Sequence, residues 1–211
     1  AMIYPQEWTG GVAFTRYGVI AIGIAPDGLD WGKRAIAHEL THLVIHQMTY
    51  NPYGGLPTWL DEGLAMHTEG ALGSEFTACL SRAIAEDSLI SVRSLSSPFS
   101  AYAGESLLSY AQSYSLVEFL ISSYGQSKML ELLNTFKQGS SYDAALEKVY
   151  GFDMDGLDAL WRDYVIGQYQ PAKVTTTRMH PALIGTLAAL ATGLLLALGL
   201  AIEGWAWRRG W

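Results

Sequence analysis

The sequence predicts an α+β domain that is mostly α-helical with a short N-terminal β region, followed by one C-terminal transmembrane helix. β-Branched, aromatic and small apolar residues cluster before residue 26, which is typical of strands. Apolar residues then recur at helical spacing as far as residue 166, and a later stretch of about 20 residues carries no charge. The expected division is a folded domain at 1–168, a tether at 169–181, the transmembrane helix at 182–202 and a short tail at 203–211.

Composition excludes several classes of protein. A chain of 211 residues that is 50% hydrophobic can bury a sizeable core. Its formal net charge of −7, with only 13 basic residues, argues against a nucleic-acid partner. The single cysteine, Cys79, rules out an intrachain disulfide and a cysteine-based zinc site, and we expect it to be a small buried apolar residue.

The N-terminal β region reads as two strands. Residues 12–15 and 17–25 are rich in strand-forming residues and are joined around Arg16 to Gly18. The turn signal Pro26-Asp27-Gly28 ends the second strand, and Asp30 is the expected N-cap of the helix that follows.

That helix, predicted over residues 31–48, contains the motif H-E-x-x-H. Positions i and i+4 share a helix face, so His38 and His42 can present two imidazoles to one ion. Glu39 lies beside the first of them, where it can deprotonate a water. This is the arrangement of a zinc hydrolase. The alternative is an amphipathic helix with two half-buried histidines.

A third ligand is expected from the next segment, Leu56-Pro57-Thr58-Trp59-Leu60-Asp61-Glu62-Gly63-Leu64-Ala65. The loop at 51–55 is rich in turn formers and can reverse the chain, which would bring Glu62 opposite both histidines. Gly63 would remove a side chain where helix and metal approach each other. Otherwise Glu62 is an ordinary surface glutamate on an amphipathic helix.

The two motifs together, H-E-L-T-H and P-T-W-L-D-E-G-L-A, resemble the gluzincin metallopeptidases with a thermolysin-like zincin fold, most closely the peptidase MA-like family. The resemblance covers residues 20 to 165. It implies a Zn²⁺ ion held by His38, His42 and Glu62, with Glu39 as the general base. The G-x-M-E-N-like signature of the related aminopeptidases is missing. In such peptidases a strand before the motif helix pairs with extended substrate, here expected at residues 19–24, although a plain structural strand is the alternative.

Helices are further predicted at 58–69, 74–87, 106–124, 128–138, 141–150 and 155–166. The stretch from Tyr110 to Val117 resembles the Y-x-x-S-x-x-L-V pattern of peptidase MA-like proteins, and gluzincins commonly place a tyrosine hydroxyl near the zinc. The resemblance therefore makes Tyr110 the first candidate and Tyr114 the second, unless both rings simply pack in the core.

Three further polar residues lie near the two motifs and could take part in the metal site. His46 lies two turns from His38, too far for both to bind one ion, and is expected at the surface or behind the ligands. His67 points to another face of its helix and is not expected to be a ligand. Asp61 is a candidate to accept a histidine N–H.

The uncharged run at 182–202 is long enough to span a bilayer, and a soluble helix would carry a polar stripe. Its glycines do not form a G-x-x-x-G pair, so the sequence indicates no dimerisation through this helix. The basic residues that flank this run are nearly equal in number on its two sides, so they decide little about its orientation in the membrane. The short tail with three tryptophans favours a single-pass anchor that ends at the cytoplasmic face of the cell membrane, with the catalytic domain outside. We also expect native sequence upstream of Ala1, because the stretch before the motif helix is short for a gluzincin.

The leading hypothesis is a membrane-anchored zinc metallopeptidase that acts on peptide or protein substrates. An intramembrane protease is disfavoured because charged residues precede the motif helix, which lacks the apolar length to span. The remaining alternative is a binding or scaffold module at the membrane that keeps the peptidase fold without turnover.

Overall fold

The computed structural model describes residues 10–100 and 103–169, beginning with an antiparallel β-hairpin. Strand β1 (Gly11–Phe14) pairs with β2 (Val19–Ile22), with Gly11 opposite Ile22 and Phe14 opposite Val19. A single 3₁₀ turn, Thr15–Tyr17, joins them and ends at Gly18, whose φ of 63° lies in the left-handed region that favours glycine. The predicted pair of strands is confirmed, although β1 begins one residue earlier than expected and β2 is shorter than expected.

Helix α1 (Leu29–Thr49) carries the H-E-x-x-H motif. Gly28, not Asp30, occupies its N-cap position, so that prediction was wrong. Asp30 instead lies in the first turn, where its Oδ1 is 3.2 Å from Lys33 Nζ. The segment that follows β2 packs closely on α1 at Gly32, where a Cβ would lie 2.8 Å from Ile24 Cδ1.

Helix α2 (Thr58–Glu69) returns antiparallel to α1 after the predicted reversing loop. Asn51 organises that loop: its side chain accepts from the backbone N–H groups of Tyr53 and Gly54. The same side chain donates to the carbonyl of Phe136, which ties the loop to a later helix. The reversal therefore rests on a tertiary contact as well as on turn-forming residues.

The second layer begins with α3 (Ser74–Ala85) and continues, after a connection with a 3₁₀ turn at Ser94–Ser96, into α4 (Ala103–Tyr124). Helix α4 packs against both α2 and α3. Gly63 permits this crossing, because a Cβ on it would lie 2.3 Å from the carbonyl oxygen of Ser113. Its expected role beside the metal was wrong, since the close approach is between two helices.

Three helices complete the described chain: α5 (Gln126–Lys137), α6 (Tyr142–Tyr150) and α7 (Met154–Tyr169). Helix α7 thus includes the first residue of the expected tether. Trp161 of α7 is fully buried and donates its indole N–H to Ser115 Oγ at 3.0 Å. This bond satisfies the one polar atom of a large core side chain.

One hydrophobic core joins the helices from α1 to α7. Its largest fully buried side chains are Trp59, Trp161, Leu60, Leu80, Leu95, Leu116, Leu120, Leu132, Leu146, Met154 and Leu157. Each of the buried leucine and methionine side chains contributes about 1.5–3 kcal/mol of burial free energy. Cys79 was expected to be buried but is only partly so.

The described part of the chain is mostly helical with a short N-terminal two-stranded sheet, as predicted. Within it, no helix combines the length and the apolar character needed to cross a bilayer. The predicted span at 182–202 and most of the tether lie outside the described residues.

Candidate metal centre

His38 and His42 project from one face of α1 into a shared cavity. Their ring centroids are 4.9 Å apart, as expected for positions one turn apart on a helix. Both side chains are largely buried, which limits competition from water for their nitrogens. The two imidazoles therefore face the same point in the cavity.

Glu62 of α2 supplies the third group. Its Oε2 lies 3.5 Å from His38 Nε2 and 3.6 Å from His42 Nε2, and it has no hydrogen-bond partner although it is buried. Tetrahedral ligands about 2.1 Å from a zinc ion lie about 3.4 Å apart. The separations of Glu62 Oε2 from both imidazoles therefore fit one metal ion, and the unpaired buried oxygen is the atom such an ion would satisfy.

Carboxylates lie behind both imidazoles. Glu69 Oε1 is 2.5 Å from His38 Nδ1, and Asp61 Oδ1 is 3.0 Å from His42 Nδ1. Because an ionised carboxylate can only accept, each Nδ1 carries a proton, and in the neutral imidazole each Nε2 is then left with a free lone pair. That tautomer directs both Nε2 atoms towards Glu62, as metal binding requires.

Asp61 also pairs with a second histidine, His46. Its Oδ2 lies 2.9 Å from Nε2 of the more exposed His46. The structure thus places Asp61 behind His42, as the sequence indicated, and places His46 behind Asp61. Glu69 was missed, but its position seven residues after Glu62 puts both on one face of α2, and this spacing was the available signal.

The electrostatics of the cluster favour a cation. Burial alone would lower the pKa of His38, but the nearby carboxylates of Glu62 and Glu69 outweigh it and raise that pKa to about 9. Burial likewise opposes charge on His42, whereas Asp61 and Glu62 raise its pKa to about 10. The field that favours a proton on these imidazoles equally favours a positive ion between them.

Glu39 lies buried between α1 and β1. A Cβ at Gly11 would be 2.8 Å from Glu39 Oε1, so the missing side chain makes room for this carboxylate. Burial raises the pKa of Glu39 above its ordinary value. A carboxylate with a raised pKa beside the ligand pair is suited to accept a proton.

A cavity of about 480 Å³ is lined by the side chains described above: His38, Glu39, His42 and Glu62. One wall is formed by β1 and the residues on either side of it, with Gly10 to Ala13 and Thr15 among the lining residues. The strand expected to pair with an extended substrate was at residues 19–24, with a plain structural strand as the alternative. None of these residues lines the cavity, and β2 pairs with β1.

The two candidate tyrosines lie in different surroundings. Tyr110 lines the cavity, and burial together with the charges of Glu62 and Glu39 raises its pKa above the ordinary range, so its hydroxyl keeps its proton. Tyr114 does not line the cavity. Its ring stacks on that of His67 at a centroid distance of 5.9 Å, and His67 pairs with Glu118 at 3.1 Å.

A family model described as the Peptidase MA superfamily matches residues 1–167, most of the chain. The chain belongs to the Peptidase MA superfamily. The resemblance inferred from the two motifs is thereby confirmed, and membership indicates a metallopeptidase that acts on peptides or proteins. Neither the comparison with curated proteins nor that with solved structures found a match.

Proposed function

We propose that this Peptidase MA protein is a zinc-dependent metallopeptidase that hydrolyses peptide bonds. His38, His42 and Glu62 would hold the ion. The observation that carries the proposal is the convergence of Glu62 Oε2 on both Nε2 atoms, at 3.5 and 3.6 Å, with carboxylates behind each imidazole. Three protein ligands leave one position open, which is the pattern of a catalytic zinc site.

Zinc bound there supplies Lewis acidity, which polarises a substrate carbonyl and makes a water more acidic. Glu39 accepts the proton of the attacking water and passes it to the leaving amine, and its raised pKa suits both transfers. Tyr110 donates its hydroxyl proton in a hydrogen bond to the carbonyl oxygen, where negative charge develops.

Strand β1 is the proposed support for the substrate backbone. It runs along the cavity wall beside Glu39. An extended peptide laid beside a strand can pair with its backbone groups, which holds the scissile bond in one orientation.

The test is zinc content combined with cleavage of an unfolded protein substrate, measured with and without chelator. We expect about one zinc per chain and chelator-sensitive cleavage. Absence of zinc, or cleavage that a chelator leaves unchanged, would refute the proposal. Stable zinc binding with no cleavage of any substrate would instead support the alternative of a silent binding or scaffold module.

We propose further that the domain is tethered to the cell membrane by residues 182–202 and faces away from the cytoplasm. The support is the uncharged run of 21 residues with Trp205, Trp207, Arg208 and Arg209 after it. Protease added to intact spheroplasts should digest the domain. Protection until the membrane is permeabilised would reverse the orientation, and recovery in the soluble fraction would exclude the anchor.

A further inference from the structure

A second cavity, of about 550 Å³, adjoins the metal centre. His38, Glu69 and Tyr110 line both this cavity and the first one. A peptide that lies across the candidate metal centre therefore has a side-chain pocket directly beside it.

Part of the wall of this second cavity is apolar. Met66 of α2, Phe76 of α3 and Leu107 of α4 form this part. Met66 lies one turn after Glu62, and Leu107 lies one turn before Tyr110, so the pocket continues the helix faces that form the site. These walls can hold the methylene stem of a long side chain.

Apart from His38, the charged side chains that line the second cavity are all acidic. Glu69 and Glu75 are among the lining residues, and none of the described lining residues is a lysine or arginine. Glu75 is exposed in the first turn of α3 and forms no ion pair with a described residue. A purely apolar occupant would offer the Glu75 carboxylate no partner, and an acidic occupant would be repelled.

We infer that this pocket selects a substrate residue with an apolar stem and a cationic head, namely lysine or arginine. The inference rests on the proposed peptidase function. The stem packs between Met66 and Phe76, and the head reaches the carboxylate of Glu75 at the open side.

Binding to a variant without turnover tests this directly. The full chain carrying Glu39→Gln, supplied with zinc in a mild non-ionic detergent, is titrated by calorimetry with blocked alanine hexapeptides that carry a single lysine, norleucine or glutamate. Norleucine keeps the stem and removes the charge. We expect the lysine peptide to bind about tenfold more tightly than the norleucine peptide and the glutamate peptide to bind most weakly.

Adding Glu75→Gln should weaken the lysine peptide about three- to tenfold and leave the norleucine peptide unchanged. Glu86→Gln, at the other end of α3, is the matched control and should change neither. Equal binding of lysine and norleucine peptides, an equal loss for all peptides on Glu75→Gln, or no peptide binding would overturn the inference.

The same peptides separate this inference from the proposed function. Chelator-sensitive cleavage by the unmodified chain without a lysine preference would leave the peptidase proposal standing and refute the pocket. A lysine preference in binding, with no cleavage by the unmodified chain, would support the pocket and refute turnover.

Discussion

Glu69 Oε1 lies 2.5 Å from Nδ1 of His38, which joins the last turn of α2 to the middle of α1. This contact fixes the ring so that Nε2 points at Glu62, whose carboxylate comes from the same face of α2 two turns earlier. One helix thus provides both a candidate ligand and the group that orients another ligand.

Replacing Glu69 should weaken metal binding without unfolding the domain. Glu69→Ala is expected to lower zinc affinity about 10–100-fold, because His38 loses the acceptor that sets its tautomer. Glu69→Gln, whose amide oxygen still accepts, should lose less. Competition with a chromophoric chelator measures both. Glu118→Gln, which alters a similar contact with His67 outside the cavity, is the control, and an equal loss there would contradict the assignment.

Removing the third ligand and removing the base should have different consequences. Glu62→Ala leaves two histidines, so both zinc and activity should be lost. Glu39→Gln leaves all three ligands and should keep zinc while turnover falls. Metal content and cleavage rate are measured on the same preparations. Full zinc occupancy in Glu62→Ala would mean that the third ligand is another residue.

The hydroxyl of Tyr110 should matter to turnover and not to folding. Tyr110→Phe is expected to lower kcat about 10²–10³-fold if the hydroxyl stabilises the developing oxyanion. Its thermal midpoint should change little, because the ring and its edge-to-face contact with Phe99 remain. Tyr114→Phe is the matched control, since Tyr114 packs on His67. A loss confined to Tyr114→Phe would exchange the two roles.

The crossing of α2 and α4 depends on Gly63. Gly63→Ala would place a methyl group 2.3 Å from the carbonyl oxygen of Ser113 and should destabilise the fold by about 1–3 kcal/mol. Gly167→Ala, in α7 with open space around it, should instead be neutral or stabilising by up to about 1 kcal/mol. Denaturant unfolding compares them, and equal effects would show that the crossing has room to adjust.

Asp143 should make stability dependent on pH. The Arg93 guanidinium and the backbone N–H of Met154 hold the pKa of its carboxyl below the ordinary value. Its contribution is therefore present above the unfolded pKa of about 3.9 and is lost as pH falls through the lower folded pKa. Asp143→Asn should lower the thermal midpoint at pH 7 and match the unmodified chain in strong acid. A difference that stays constant with pH would exclude the carboxylate as its cause.

The sequence predicted the helices and strands because these elements depend mainly on residues that are close together in the chain. Helix α2 ends at Glu69 as expected, since Gly70 to Gly73 cannot continue it. The i, i+4 spacing places His38 and His42 on one helix face, and the periodic apolar residues indicated which segments are helical. The loop before α2 predicted the antiparallel return that brings Glu62 to the histidines.

Only the tertiary structure showed which faces of the helices and strands pack against each other. The packing of α4 on α2 put Tyr110 in the cavity and Tyr114 against His67, although one turn separates them. The same packing of α4 on α2 accounts for a glycine at position 63, because a Cβ there would clash with the carbonyl oxygen of Ser113. The placement of β1 beside α1 makes β1 one wall of the cavity. Spacing along a chain determines which side chains share a face of one helix, whereas the partner of that face is set by side-chain packing between segments far apart in sequence.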